Sequence, residues 1–321
     1  MRALVRSGRV RLVNDYPEPV RARGEALISV QLAGICDTDL QLAEGYLNFT
    51  GVLGHEFVGT VLECDDAFWV GKRVVADINA GCGDCPDCRE ADGHHCPART
   101  VLGIAGRDGA LAERLVVPQR ALVEVPKHVP DEHAVFAEPL AAAAHVLYEL
   151  RGVQDEPVVV LGDGKLGLLT ALVLHARGVE VALVGHHANK LALAASVGVP
   201  TRFESALDDA PARASTVVEA TGSARGVERA FGLVRPRGTV VLKTTVAKAA
   251  PVDLAPIVID ELRLVGSRCG NLALAVQLLA DASVDPTPMV TAEYPLTHAE
   301  RALARAAERG VLKVLVRVGG P

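Results

Sequence analysis

The chain has 321 residues, 50% of them hydrophobic and 22% charged, a globular composition that excludes a disordered or fibrous protein. A single core has usually stopped growing at this length, so two domains are expected. Against 33 Lys and Arg stand 39 Asp and Glu, a formal charge of -6, so the basic surplus that a nucleic-acid backbone demands is missing and nucleic acid is not expected as a partner.

From Met1 to Val13 the arginines Arg2, Arg6, Arg9 and Arg11 interrupt the apolar residues, which leaves no signal-peptide core. Nowhere is there an apolar run of roughly 18 residues, the length that spans a bilayer. A cytoplasmic protein without membrane contact is expected.

Residues 1 to about 135 read as β-rich, largely antiparallel and irregular. The first predicted strand, Ala26–Leu32, runs into Gly34-Ile35-Cys36-Asp37-Thr38-Asp39, and nineteen residues after that cysteine comes the histidine of Gly54-His55-Glu56. Thiolate, imidazole and carboxylate form the mixed ligand set of a catalytic zinc that keeps one open position. By themselves, a lone cysteine and a loop histidine are more often structural. The segment Glu44–Val52, with Tyr46 and Phe49, is a candidate pocket wall.

Strands are predicted over Val58–Glu63 and Arg73–Ile78. Beyond them Cys82, Cys85, Cys88 and Cys96 crowd together with C-x2-C-x2-C-x7-C spacing, and Gly81, Gly83 and Pro86 supply tight turns. In a reducing compartment four such thiols are metal ligands before they are disulfides, and zinc is the usual occupant of a closed tetrahedral thiolate site. An iron–sulfur site and a nucleic-acid-binding finger are the alternatives; the acidic charge and the lack of an adjacent basic helix oppose the finger. A further strand is predicted over Ala112–Val117.

At Glu138 the texture changes. A long Ala/Leu stretch through Leu150 has helical periodicity. Glu138-Pro139 also suits an ordinary helix start. Strand Val158–Leu161 then enters Gly162-Asp163-Gly164-Lys165-Leu166-Gly167 and an apolar helix through Ala176. The first glycine permits the turn, the second lets the backbone approach a pyrophosphate, and the third lets helix pack on strand. Strand Val181–Val184, a helix near Lys190–Ser196, and strands Thr216–Glu219, Thr239–Lys243 and Leu262–Val265 continue the alternation that predicts a doubly wound parallel sheet, an α/β fold of the Rossmann type. A helix after Asn271, another near His298–Arg309 and a strand Val311–Val318 complete the chain, and this tail is expected to return to the first domain. The division is therefore 1–141 with 271–321, and 142–270.

Cys36–Asp39, Gly54–Glu56, the four-cysteine lobe, Glu138-Pro139-Leu140 and the glycine motif occur in an order that resembles the zinc-dependent medium-chain dehydrogenase/reductase family of alcohol, polyol and sugar dehydrogenases. The resemblance covers essentially the whole chain. It implies a GroES-like catalytic domain beside a dinucleotide domain, two zinc ions per chain, and an alcohol or carbonyl substrate exchanging hydride with NADP or NAD. Cys36 and His55 are then catalytic zinc ligands, Glu56 a ligand or water-mediated partner, and Glu138 a further carboxylate at the metal, as in the polyol and sugar branch. Thr38 takes the substrate proton, and Asp39 orients the histidine. The four cysteines hold the structural zinc. A departure is Gln41, with no nearby histidine, where several relatives continue a proton relay. Relatives are commonly homodimers or homotetramers.

The end of the second strand of the sheet, where an acid grips the ribose 2′-hydroxyl of NAD, reads Gly185-His186-His187-Ala188-Asn189-Lys190. Room at Gly185 and donors at His186, His187 and Lys190 favour NADP; the alternative is that the histidines are solvated loop residues and NAD binds without selectivity. Thr221, Lys243 and Arg268 follow later strand ends and are further candidates to touch the cofactor, together with Lys165 and Leu166 in the glycine motif. A zinc-independent reductase and a noncatalytic zinc- and nucleotide-binding module remain as rival readings.

Overall fold

The computed structural model describes residues 1–150, 156–207, 213–245 and 251–319. The chain separates into two compact units, Met1–Glu138 with Val276–Pro321, and Pro139–Ala275.

In the first unit, seven strands form a sheet whose long central member is Glu25–Ile35. Glu56–Cys64 pairs with it antiparallel on one side, and Arg114–Pro118 also pairs with it. On the other side lies Lys313–Arg317, antiparallel, with Val314 opposite Ile35 and Arg317 opposite Leu32. The C-terminal part of the unit is thus woven into its centre after the whole second unit has intervened in the chain. Alternation in Glu25–Ile35 buries Ala26, Ile28, Val30 and Leu32, burial is continuous from there to Ile35, and Val314, Leu315 and Val316 have no exposed surface. Each such aliphatic side chain contributes about 1.5–3 kcal/mol on full burial. The core is aliphatic, as the scarcity of aromatic residues requires; Phe136 is its largest fully buried side chain.

Two elements that position chemistry lie at the ends of these strands. Helix Asp37–Ala43 starts directly after Glu25–Ile35, with Cys36 as its N-cap residue. The short ladder of Asn79–Ala80 on Thr100–Leu102 frames the cysteine lobe.

The second unit is a six-stranded parallel sheet, β1 (Val158–Leu161), β2 (Val181–Gly185), β3 (Thr201–Phe203), β4 (Ala214–Glu219), β5 (Val234–Leu242) and β6 (Arg263–Gly266), in the order β3-β2-β1-β4-β5-β6. Its near-continuous Val/Leu runs fit strands covered on both faces. Neighbouring β2 and β4 lie on opposite sides of β1, so their connections leave in opposite directions and open a crevice at the carboxyl ends, where doubly wound sheets bind ligands. The Ala/Leu stretch expected as one helix through Leu150 is two segments, Ala137–Ala144 and Val146–Glu149.

Candidate functional site

Asp39, in the first turn of helix Asp37–Ala43, organises the first cluster. Its side chain is fully buried. Oδ2 accepts the Cys36 N–H at 2.8 Å and Oδ1 accepts the Gly54 N–H at 3.1 Å, while Oδ1 also lies 3.3 Å from Nδ1 of His55. Burial alone would raise the carboxyl pKa, but His55 and the two N–H groups outweigh it and hold it below the ordinary value. For His55, burial disfavours the cation, yet Asp39 and then Cys36 push its pKa well above the ordinary imidazole value. A carboxylate in this position fixes the orientation and tautomer of a metal-ligating imidazole. Gly54 adopts φ +95°, and a Cβ there would meet the Leu111 backbone nitrogen at 2.8 Å, so only glycine closes this approach.

Cys36 Sγ and a donor atom each from His55 and Glu56 lie within 4.8 Å of one another. Thr38 Oγ1 lies 3.9 Å from the Cys36 sulfur. Glu56 Oε1 is buried and has no hydrogen-bond partner among the described residues. A soft thiolate, an imidazole and an orphaned carboxylate oxygen at this spacing fit zinc. The carboxyl of Glu138 is not among the three donor groups. It sits at the start of helix Ala137–Ala144, where burial pushes its pKa up to about 7; His55 pulls it down and Glu56 pushes it further up.

Sequence reasoning missed Lys313. Its ammonium is 2.5 Å from Glu56 Oε2, 3.4 Å from the Ile35 carbonyl oxygen, and 5.6 Å from the centre of the Phe136 ring. Gly34 stands opposite Glu56 in the ladder, and a Cβ there would strike Glu56 Oε2. The signal for Lys313 was a lysine opening a strand that is otherwise Val-Leu-Val, since a buried ammonium requires a carboxylate.

The sulfurs of Cys82, Cys85, Cys88 and Cys96 also lie within 4.8 Å of one another. Backbone N–H groups of Asp84 and Cys85 point at Cys82 Sγ from 3.5 and 3.4 Å, which lowers that thiol's pKa toward the thiolate a metal needs. Gly81 leaves room for the Cys88 sulfur, which a Cβ would meet at 2.6 Å. His94, also missed, anchors the lobe through Nε2 to Asp77 Oδ2 at 2.6 Å.

In the second unit, Gly162 has φ +118°, and a Cβ on Gly167 would lie 1.9 Å from the Gly162 oxygen. Turn and helix packing therefore both require glycine. Around Gly164, the N-cap of helix Lys165–Ala176, the space is open; Lys165 and Leu166 form the helix's first turn. Thr221 donates its N–H and hydroxyl to Glu219 Oε1 at 2.8 and 2.6 Å. Lys190 is nearly buried in helix Ala188–Ala195. Both histidines after Gly185 face acids: His186 Nε2 is 2.8 Å from Glu204, and His187 Nδ1 is 3.1 Å from Asp163. Lys243 directs its ammonium to the carbonyls of Ala142 at 2.7 Å and Arg268 at 2.9 Å and to the Ser267 hydroxyl at 3.3 Å. That ammonium links helix Ala137–Ala144 to the segment after β6.

Residues 22–127 match the alcohol dehydrogenase GroES-like domain, and residues 166–282 match the zinc-binding dehydrogenase domain. An erythritol/L-threitol dehydrogenase from Mycolicibacterium smegmatis is 30% identical over 91% of this chain and 90% of its own length. A D-arabitol-phosphate dehydrogenase from Enterococcus avium is 28% identical over 94% and 92%. A solved zinc-binding dehydrogenase from Sinorhizobium meliloti, bound to NADP, superposes with a TM-score of 0.85 at 31% identity, covering 99% of each chain. Fold and site thus define a zinc-type dehydrogenase. The chain belongs to the zinc-binding medium-chain alcohol dehydrogenase family and is an oxidoreductase.

Proposed function

We propose that the chain exchanges hydride between a polyol- or sugar-like alcohol and NADP, with NAD as the alternative dinucleotide. The observation that carries the reading is the convergence of Cys36, His55 and Glu56 donor atoms within 4.8 Å. The catalytic machinery then lies in the unit containing residues 1–141 and 271–321, and the dinucleotide site in residues 142–270.

When bound, zinc supplies a Lewis acid for the substrate hydroxyl and the dinucleotide supplies a hydride acceptor. Cys36, His55 and Glu56 would hold the catalytic ion, with Glu138 as a neighbouring carboxylate, and the four-cysteine lobe would hold the structural one. Oxidation removes a proton from the hydroxyl and a hydride from the carbon that bears it. The Thr38 hydroxyl, beside Cys36, would relay the proton, releasing its own toward solvent as it takes the substrate's; Asp39 keeps His55 in its ligating orientation. Gly162, Gly164 and Gly167 admit the pyrophosphate to the helix N-terminus. Polyol and sugar-like substrates are supported by the names of the relatives at 28–30% identity. NADP is supported by the absence of an acid in the sequence at position 185 and by the NADP-bound relative; the Asp163 carboxylate packed against Gly185 weighs toward NAD.

A coupled screen over alcohols, polyols and sugars with both dinucleotides, with zinc quantified in the same preparation, tests the proposal. Cys36→Ser is expected to abolish turnover and remove one equivalent of zinc while dinucleotide binding persists. Turnover retained in that variant overturns the assignment.

A homodimer or homotetramer is part of the proposal. Edge strand β6 and the helix before it leave Leu254, Val258, Ile259 and Leu264 exposed, a combination suited to covering by a second copy. Among the described residues no helix is long and apolar enough to cross a membrane; the proposed location is the cytoplasm, to be checked by cell fractionation.

A further inference from the structure

The end of β2 carries an acid that the linear sequence places elsewhere. The residue closing the second strand of a doubly wound sheet is where a carboxylate distinguishes a free ribose 2′-hydroxyl from a phosphorylated one. Here that residue is Gly185, but the volume its side chain would fill is occupied. A Cβ on Gly185 would lie 2.5 Å from both Cβ and Oδ2 of Asp163 and 2.6 Å from its Cγ. Asp163 belongs to the glycine loop after β1, and β1 is paired with β2, Leu161 opposite Val184, so the loop delivers the carboxylate sideways to the neighbouring strand end.

That carboxylate is tightly held. Its Oδ2 accepts the backbone N–H groups of His186 at 2.8 Å and His187 at 2.7 Å, and both its oxygens lie 3.1 Å from His187 Nδ1. Burial raises the carboxyl pKa, but these hydrogen bonds outweigh it and keep the group anionic at neutral pH. Two consecutive backbone N–H groups are a natural cradle for an incoming phosphate, and Asp163 already fills it. The remaining imidazole, His186, faces Glu204. The place where a 2′-phosphate would seek donors therefore holds two carboxylates.

Resting on the reading of this unit as the dinucleotide site, we propose that Asp163 is the specificity-determining residue for the cofactor. Its carboxylate stands in space for the acid missing from β2 and limits the preference for a 2′-phosphorylated dinucleotide that Gly185 and Lys190 would otherwise give. Gly185 is glycine because Asp163 needs its side-chain volume, so the absent acid and the open space in the sequence have one cause.

The zinc-loaded full chain is titrated calorimetrically with NADPH and NADH, comparing wild type with Asp163→Asn and Asp163→Ser. Asparagine keeps an acceptor for the two N–H groups and removes the charge; serine also opens room. In both variants the NADPH affinity relative to NADH is expected to rise by about tenfold or more, the effect of removing one like charge at a partly screened distance. An unchanged ratio, or parallel loss of both dinucleotides, assigns Asp163 to loop structure alone and overturns the proposal. A wild-type chain that binds neither dinucleotide overturns the underlying function as well.

Discussion

The ammonium of Lys313 lies 2.5 Å from Oε2 of Glu56, and both side chains are almost wholly withdrawn from water. One carboxylate oxygen is thus neutralised from behind, while Oε1 is left without a protein partner. Removing one member of such a buried pair strands the other charge, a loss of about 3–5 kcal/mol. Lys313→Ala should lower the denaturant midpoint by that equivalent, and adding Glu56→Gln should recover part of it. Additive losses in this double-mutant cycle would show that the two charges are not coupled.

The four-cysteine lobe and the Cys36 cluster draw on separate residues and should fail separately. Cys96→Ala is expected to lose one equivalent of zinc and to become protease-sensitive around residues 82–96, while Cys36 still binds its own ion. Metal analysis with limited proteolysis distinguishes this from loss of both ions together.

In the chelator-stripped chain, Glu138 keeps its proton up to about 7, against 4.5 for an ordinary glutamate. Between those values the folded chain binds more protons than the unfolded one, so this group's contribution to stability declines as pH rises. Wild type should therefore lose thermal stability relative to Glu138→Gln from about pH 5 to about pH 8. Parallel melting profiles would remove Glu138 as the cause.

Gly167→Ala places a Cβ 1.9 Å from the Gly162 carbonyl oxygen. The helix must shift away from the glycine loop, and overpacking of this kind costs about 1–3 kcal/mol. NAD(P)H affinity should fall sharply, with both zinc equivalents retained. Unimpaired binding would mean that the loop does not receive the pyrophosphate.

Ile259→Asp introduces a charge on the exposed apolar surface beside β6 and should shift the chain toward monomer, as read by sedimentation equilibrium. An assembly state identical to wild type would place the subunit contact elsewhere.

What the sequence disclosed was local or periodic. Val158-Val159-Val160-Leu161 and the glycines after it define a strand, a turn and a helix start within ten residues, and C-x2-C-x2-C-x7-C encloses its own site. The N-terminal hairpin Ala3–Ser7 with Arg9–Val13 was less legible because its arginines interrupt the alternation. The strand predicted over Thr239–Lys243 is β5, which begins earlier, at Val234, and runs through Pro236 and Gly238, with Arg237 at φ +63° and its N–H reaching the Asp260 carbonyl at 2.7 Å. Lys313 and Asp163 were hidden for another reason. Each acts on a residue contributed by a different strand, Glu56 and Gly185, and no spacing along the chain encodes which strands become neighbours.

Strand Lys313–Arg317 lies against Glu25–Ile35 and brings the ammonium beside Glu56, yet in synthesis it comes after all of Pro139–Ala275. The N-terminal segment is therefore made before the strand that completes its central sheet and before the lysine that pairs with Glu56. The inserted unit, whose parallel sheet is internally complete, can fold during that wait. The buried pair beside Cys36 and His55 is therefore closed by a lysine that is among the last residues of its unit to be made.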